Sequence, residues 1–117
     1  MTVRLYGIRN CDSCRKARQW LTRTGIKHEF IDLRDTPVNR EQLVAWREAL
    51  GDDALINKRS QTWRAFDEQQ REATRQDPIP VLIAHPTLIK RPILDAPPHT
   101  LAGFSAERYE AALAGAD

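Results

Sequence analysis

The sequence predicts an α/β fold in which a βαβ unit is followed by a run of helices and then by a ββα ending. Three observations predict it. Val3-Arg4-Leu5-Tyr6-Gly7-Ile8 and His28-Glu29-Phe30-Ile31-Asp32-Leu33 are rich in strand formers, and the segment between them repeats apolar residues at helical spacing. Further on, Thr87-Leu88-Ile89-Lys90 and Pro92-Ile93-Leu94-Asp95 look like a hairpin pair. Ser105 then caps a last helix from Ala106 to Ala114. A chain of 117 residues, 41% hydrophobic and 29% charged, is one domain of ordinary globular composition, which excludes wholesale disorder.

Each element has a local reason. From Cys11 to about Thr24 the residues Cys14, Ala17, Trp20 and Leu21 form one apolar stripe, and Gly25 is placed to end the helix. Strand, crossover helix and strand make a parallel unit with a right-handed connection. Asn39 is placed as the N-cap of a second helix, with Gln42 in capping-box position, a stripe of Leu43, Trp46 and Leu50, and Gly51 at its end. Residues 52–77 are the most polar part, with short helical pieces around Ala54-Leu55-Ile56 and Trp63-Arg64-Ala65-Phe66. Asp77-Pro78 reads as an N-cap and a first-turn proline, opening a short helix that His85-Pro86 stops. This order is that of a thioredoxin-like core, a single domain over residues 1–117 with a helical insertion roughly at 36–85.

The formal net charge is only +2, too small to argue for direct nucleic-acid binding. Its distribution is uneven: residues 1–28 carry seven basic side chains against Asp12 alone. No apolar run approaches the ~20 residues that span a bilayer, and the N-terminus lacks the basic-then-apolar order of a signal peptide. A cytoplasmic monomer without membrane attachment is therefore expected. His28, His85 and His99 are scattered, so no metal site is expected.

Both cysteines fall in one motif, Cys11-Asp12-Ser13-Cys14, between a strand and a helix. A thiolate at a helix N-terminus is favoured by unpaired N–H groups and by the macrodipole, which lowers its pKa from ~8.5. Cys14 lies one turn on, close enough to resolve a mixed disulfide on Cys11. Pro92 between strand-like segments needs a reason, and a cis Arg91–Pro92 bond facing the cysteine loop would be one. Arg91 would then present its guanidinium to the sulfur or to an anion. The run Asn57-Lys58-Arg59-Ser60-Gln61-Thr62-Trp63-Arg64, taken alone, reads as a solvated basic loop.

These pieces, in this order, resemble the arsenate-reductase-related (ArsC-like) family, most closely its Spx/YffB branch. The carriers are Leu5-Tyr6-Gly7-Ile8 with Asn10-Cys11-Asp12-Ser13-Cys14, and Leu55-Ile56-Asn57-Lys58-Arg59 with Thr62-Trp63-Arg64. After them come His85-Pro86, Leu88-Ile89-Lys90-Arg91-Pro92-Ile93 and Gly103-Phe104-Ser105. The resemblance implies a thioredoxin-like fold and a redox nucleophile at Cys11. It implies active-site roles for Arg59 and Arg91, with Asn10, Pro92 and Phe104 beside the substrate. It further implies glutathione as a cosubstrate with no bound cofactor, so that the chain would act as a thiol–disulfide oxidoreductase on a small thiol or disulfide. Arsenate reductases of the family carry an arginine where this chain has Phe104, and one cation fewer makes a poorer oxyanion site. Spx-like members instead act as redox-sensing regulators that bind RNA polymerase, the alternative that the resemblance implies.

Overall fold

The computed structural model describes residues 2–114. Along the chain run β1 (Arg4–Gly7), α1 (Asp12–Arg23), β2 (Glu29–Asp32), α2 (Arg40–Leu50), α3 (Asp52–Leu55), α4 (Gln61–Ala65), α5 (Glu68–Gln76), α6 (Pro78–Ala84), a 3-10 turn (Pro86–Leu88), β3 (Ile93–Ala96), β4 (His99–Ala102) and α7 (Ala106–Leu113). Two compact units emerge: one from the chain's two ends, up to Thr36 and from Arg91 onward, the other from Pro37–Lys90.

The first unit is a four-stranded sheet in the order β2-β1-β3-β4. β1 pairs parallel with β2, Leu5 opposite Phe30, and antiparallel with β3, Leu5 opposite Leu94. β3 and β4 form the closing hairpin, Ile93 opposite Ala102. Val3, Leu5, Ala17, Leu21, Leu94, Ala96, Tyr109 and Leu113 form the buried core, with Trp20, Phe30 and Phe104 packed against it. The helical repeat of Ala17 and Leu21 and the strand positions of Leu5 and Leu94 thus meet in one cluster, whose burial is the main driving force for this unit. Sheet, crossover helix and closing hairpin with α7 make a thioredoxin-like α/β fold. No helix among the described residues is long and apolar enough to cross a membrane.

In the second unit the caps explain where helices start. Asn39, Ser60, Asp67 and Asp77 each accept a backbone N–H from the first turn that follows. Leu43, Trp46, Leu55, Trp63, Ile79 and Leu82 are buried.

Two expectations need correction. Thr87–Lys90 is not a strand: Pro86 opens a 3-10 turn, and Ile89 makes only an isolated bridge to Ile56. Leu88 and Ile89 are both buried, so their apolar character reflects burial and not a pleat. The hairpin lies later, between β3 and His99-Thr100-Leu101-Ala102, a strand hidden by its mixed composition and by the Pro97-Pro98 before it. Residues 52–77 also hold more helix than their short apolar pieces suggest. α5 buries only Thr74, so it has almost no stripe to detect, and a reciprocal Asp67–Gln70 capping box marks its start.

Candidate functional site

β1 ends at Gly7, and α1 begins at Asp12 with Cys11 as its N-cap residue in extended conformation. The Cys11 sulfur makes no conventional capping hydrogen bond. Yet it is half-buried among groups that bear on its charge. Burial pushes the Cys11 thiol up, but the Cys14 N–H and thiol, the positive charge of Arg91 and the Ser13 N–H outweigh it and hold the thiol below its ordinary range. This is the helix-terminus effect expected from unpaired first-turn N–H groups.

Cys14 behaves oppositely. It is fully buried on the inner face of α1, and its thiol is pushed up to about 12, first by burial and then by its hydrogen bond to Cys11 and the negative charge there. The Ile8 N–H and Arg91 pull it down only in part. The two sulfurs are therefore differentiated, the Cys11 thiol eased toward ionisation and the Cys14 thiol held away from it. They are not bonded to each other.

Gly7 explains how Cys14 fits. A Cβ at this position would meet Cys14 Sγ well inside van der Waals contact and would lie 3.3 Å from Cys14 Cβ and 3.5 Å from Phe30. Only the bare glycine backbone lets α1 settle so close to β1. Its neighbour in sequence, the Arg9-Asn10 turn, is tied down by Asp32 at the end of β2. The Asp32 carboxylate, with its side chain fully buried, accepts the Arg9 N–H at 3.0 Å and the Arg34 N–H at 2.9 Å, and pairs with both guanidinium groups. Burial alone would raise this carboxyl, but the Arg34 side chain and N–H and the Arg9 N–H hold it down to about 2. Neither Gly7 nor Asp32 stands out as a site residue in the sequence. The signal there is a glycine inside a strand pattern and an acid at a strand end two residues before Arg34.

Arg91 and Pro92 belong to the same unit as the cysteines. The Arg91–Pro92 bond is cis, as the strand-interrupting proline suggests, and the Pro92 carbonyl accepts the Gly103 N–H at 2.8 Å. Arg91 Nε is buried without a hydrogen-bond partner among the described residues. A buried guanidinium N–H left unsatisfied is costly unless a ligand meets it, so an anionic group suits this place. Asn10 is exposed in its turn. Phe104 is half-buried, packed edge-on against Tyr109 with ring centroids 5.0 Å apart. Arg59 lies in the other unit, exposed on the turn before α4; its N–H donates to Asn57 Oδ1 and its carbonyl accepts from Arg64. Among the described residues no group of three His, Cys, Asp or Glu side chains could hold a metal.

A family model described as the ArsC family matches residues 6–112. A Haemophilus influenzae protein of unstated activity is 40% identical over 113 residues, covering 96% of this chain and 99% of that one. The global transcriptional regulator Spx of Streptococcus pyogenes is 27% identical, over 95% of this chain and 84% of its own. Among solved structures, the YffB protein superimposes with a TM-score of 0.88 at 38% identity, covering 97% of this chain and all of the other.

Proposed function

The chain belongs to the ArsC family, and from that premise we propose that it is a cytoplasmic thiol–disulfide oxidoreductase that takes its electrons from glutathione. The observation that carries this reading is the placement of the two free cysteines, Cys11 part-exposed at the N-cap of α1 and Cys14 fully buried one turn on, which agrees with a Cys11 thiol lowered and a Cys14 thiol raised. The Cys11 thiolate attacks one sulfur of a substrate disulfide, forming a mixed disulfide and expelling the other sulfur as a thiolate. That step removes the negative charge that helps hold Cys14 up. Cys14 then attacks Cys11 Sγ, its proton passing to the second substrate sulfur, which leaves as thiol, and a Cys11–Cys14 disulfide remains. Two glutathione molecules reduce it to two thiols and are themselves joined as the oxidised dimer. Arg91, with its unsatisfied Nε, would hold a carboxylate of glutathione. Arg59 is assigned a glutathione carboxylate on the family resemblance alone.

A redox switch that binds RNA polymerase is the second reading, favoured by the Spx relatives. Turnover separates the two. With glutathione, glutathione reductase and a model disulfide, the wild type is expected to consume NADPH continuously, and Cys11→Ser to stop it. Cys14→Ser should accumulate a glutathione adduct on Cys11, visible by mass spectrometry. No adduct and no turnover would leave the switch reading standing and remove the enzyme.

A further inference from the structure

The uneven basic charge of the first 28 residues is not used by the thiol chemistry, and the structure shows where it goes. Along α1 the residues Arg15, Arg18 and Thr22 follow one another at i, i+3 and i+7, which makes a single row along the helix surface, and Cys11 is the N-cap residue just before the first turn of that helix. Arg15, Arg18, Gln19, Thr22 and Arg23 line one open cleft of about 500 Å³. Arg15, the first residue of the row, sits one helical turn after the nucleophile, its N–H donating to the Cys11 carbonyl at 2.9 Å. Arg15 is partly engaged by Asp12 at 2.8 Å. The Arg18 guanidinium carbon lies over the Phe30 ring, 4.3 Å from its centroid, a cation–π contact that uses none of its N–H donors. Lys16, Arg18 and Arg23 have no acidic partner among the described residues.

We propose that this cationic row on α1 is the docking surface for the acidic segment of a protein disulfide substrate, laid along the helix so that its cysteine reaches Cys11. The inference rests on the thiol-exchange reading for its substrate class. At 1.5 Å per residue the span from Cys11 to Thr22 is about 16 Å long, enough for roughly five extended residues at 3.3 Å each. Acidic side chains within about five positions of the substrate cysteine would therefore meet Arg15 and Arg18 on the row and Arg23 on the lining of the same cleft. A nucleic acid fits less well. The unpaired cations are few, the row leads to a thiol that has nothing to react with in a phosphate backbone, and residues 29–77 are net acidic.

The test uses short peptides whose single cysteine is in mixed disulfide with thionitrobenzoate, with glutamate, serine or lysine flanks. Attack by Cys11 on the peptide sulfur forms a protein–peptide disulfide and releases coloured thionitrobenzoate, so the rate is read directly. The acidic peptide is expected to react about tenfold faster than the neutral one, and the advantage to shrink as salt rises from about 0.05 to about 0.5 M. In the double variant Arg18→Glu, Arg23→Glu the acidic-to-neutral rate ratio should fall to one or below. Equal rates for the three peptides, or a ratio unchanged in the variant, would overturn the surface. Should no peptide release the dye, the thiol reading itself has failed. Fluorescence anisotropy of the acidic peptide with its cysteine replaced by serine then decides the surface separately: binding lost in the double variant supports it, and no binding to wild type sinks it. Tighter binding of duplex DNA than of the peptide, lost in the same variant, would assign the row to nucleic acid instead.

Discussion

At the scale of the residue, the site depends on groups that set the charge of one sulfur. Cys11 should react with iodoacetamide at about pH 6–7, where an unperturbed thiol of pKa ~8.5 is mostly protonated, and Cys14 should lag far behind. Mass spectrometry of the alkylated peptides reads the order, and modification of Cys14 first would reverse the roles. Arg91→Ala removes a positive charge that favours the thiolate and should slow alkylation at neutral pH, each unit of pKa corresponding to ~1.4 kcal/mol. Arg91→Lys should restore the charge without the planar fork and rescue only part of the rate. A rate profile unchanged over about pH 5–9 in Arg91→Ala would detach Arg91 from the site. Asp32 makes a different prediction. Its carboxyl sits at about 2 in the folded protein, below the 3.8 of an unperturbed aspartate, so ionisation favours folding. The sign follows: that stabilisation is present above about pH 4 and fades as pH falls toward 2. Asp32→Asn should cost about 1–3 kcal/mol at neutral pH, and the gap from wild type should narrow in thermal melts run below pH 4.

At the scale of the element, the decisive feature is how near α1 lies to β1. The helix is amphipathic through Cys14, Ala17 and Leu21, all fully buried, but the closeness is set by Gly7. Gly7→Ala places a methyl group on Cys14 Sγ and should destabilise the protein by about 1–3 kcal/mol through overpacking. The same change in a Cys14→Ala background, with the sulfur gone, should cost distinctly less. A double-mutant cycle by chemical denaturation measures that difference. Additive effects would mean that the strand and the helix do not meet there as described. The caps work at this scale too, and they explain why α5 forms without an apolar stripe: its first turn is held by Asp67 and Gln70 acting reciprocally.

At the scale of the whole molecule, family membership does not dictate chemistry. Phe104 packs edge-on against Tyr109 at the position where the family resemblance implies an arginine in arsenate reductases, so arsenate reduction in a glutaredoxin-coupled assay should be weak or absent. Phe104→Arg also gives up this aromatic packing and should lower the melting temperature by several degrees; robust arsenate turnover by wild type would show that the third cation is dispensable. Much of this protein is written locally. The parallel βαβ unit, the caps at Asn39, Asp77 and Ser105, and the Cys11–Cys14 pair at a helix start all follow from residues near one another in sequence, through periodicity, capping and the helix dipole. The displaced hairpin does not, because Thr87–Ile89 and Ile93–Ala96 are equally apolar, and only pairing with β1 across the chain selects the second. The same holds for the site. A sequence can place Cys11 beside a helix terminus, but the burial of Cys14 against Gly7 depends on how α1 packs back on β1, and the anchoring of the Arg9 turn by Asp32 and the effect of Arg91 are interactions between segments far apart in sequence. Local donors lower the Cys11 and Asp32 groups, from Cys14 and Ser13 and from Arg34, but desolvation and the charge of Arg91 act through space, so the burial that raises Cys14 and the Arg91 contribution belong to the tertiary structure.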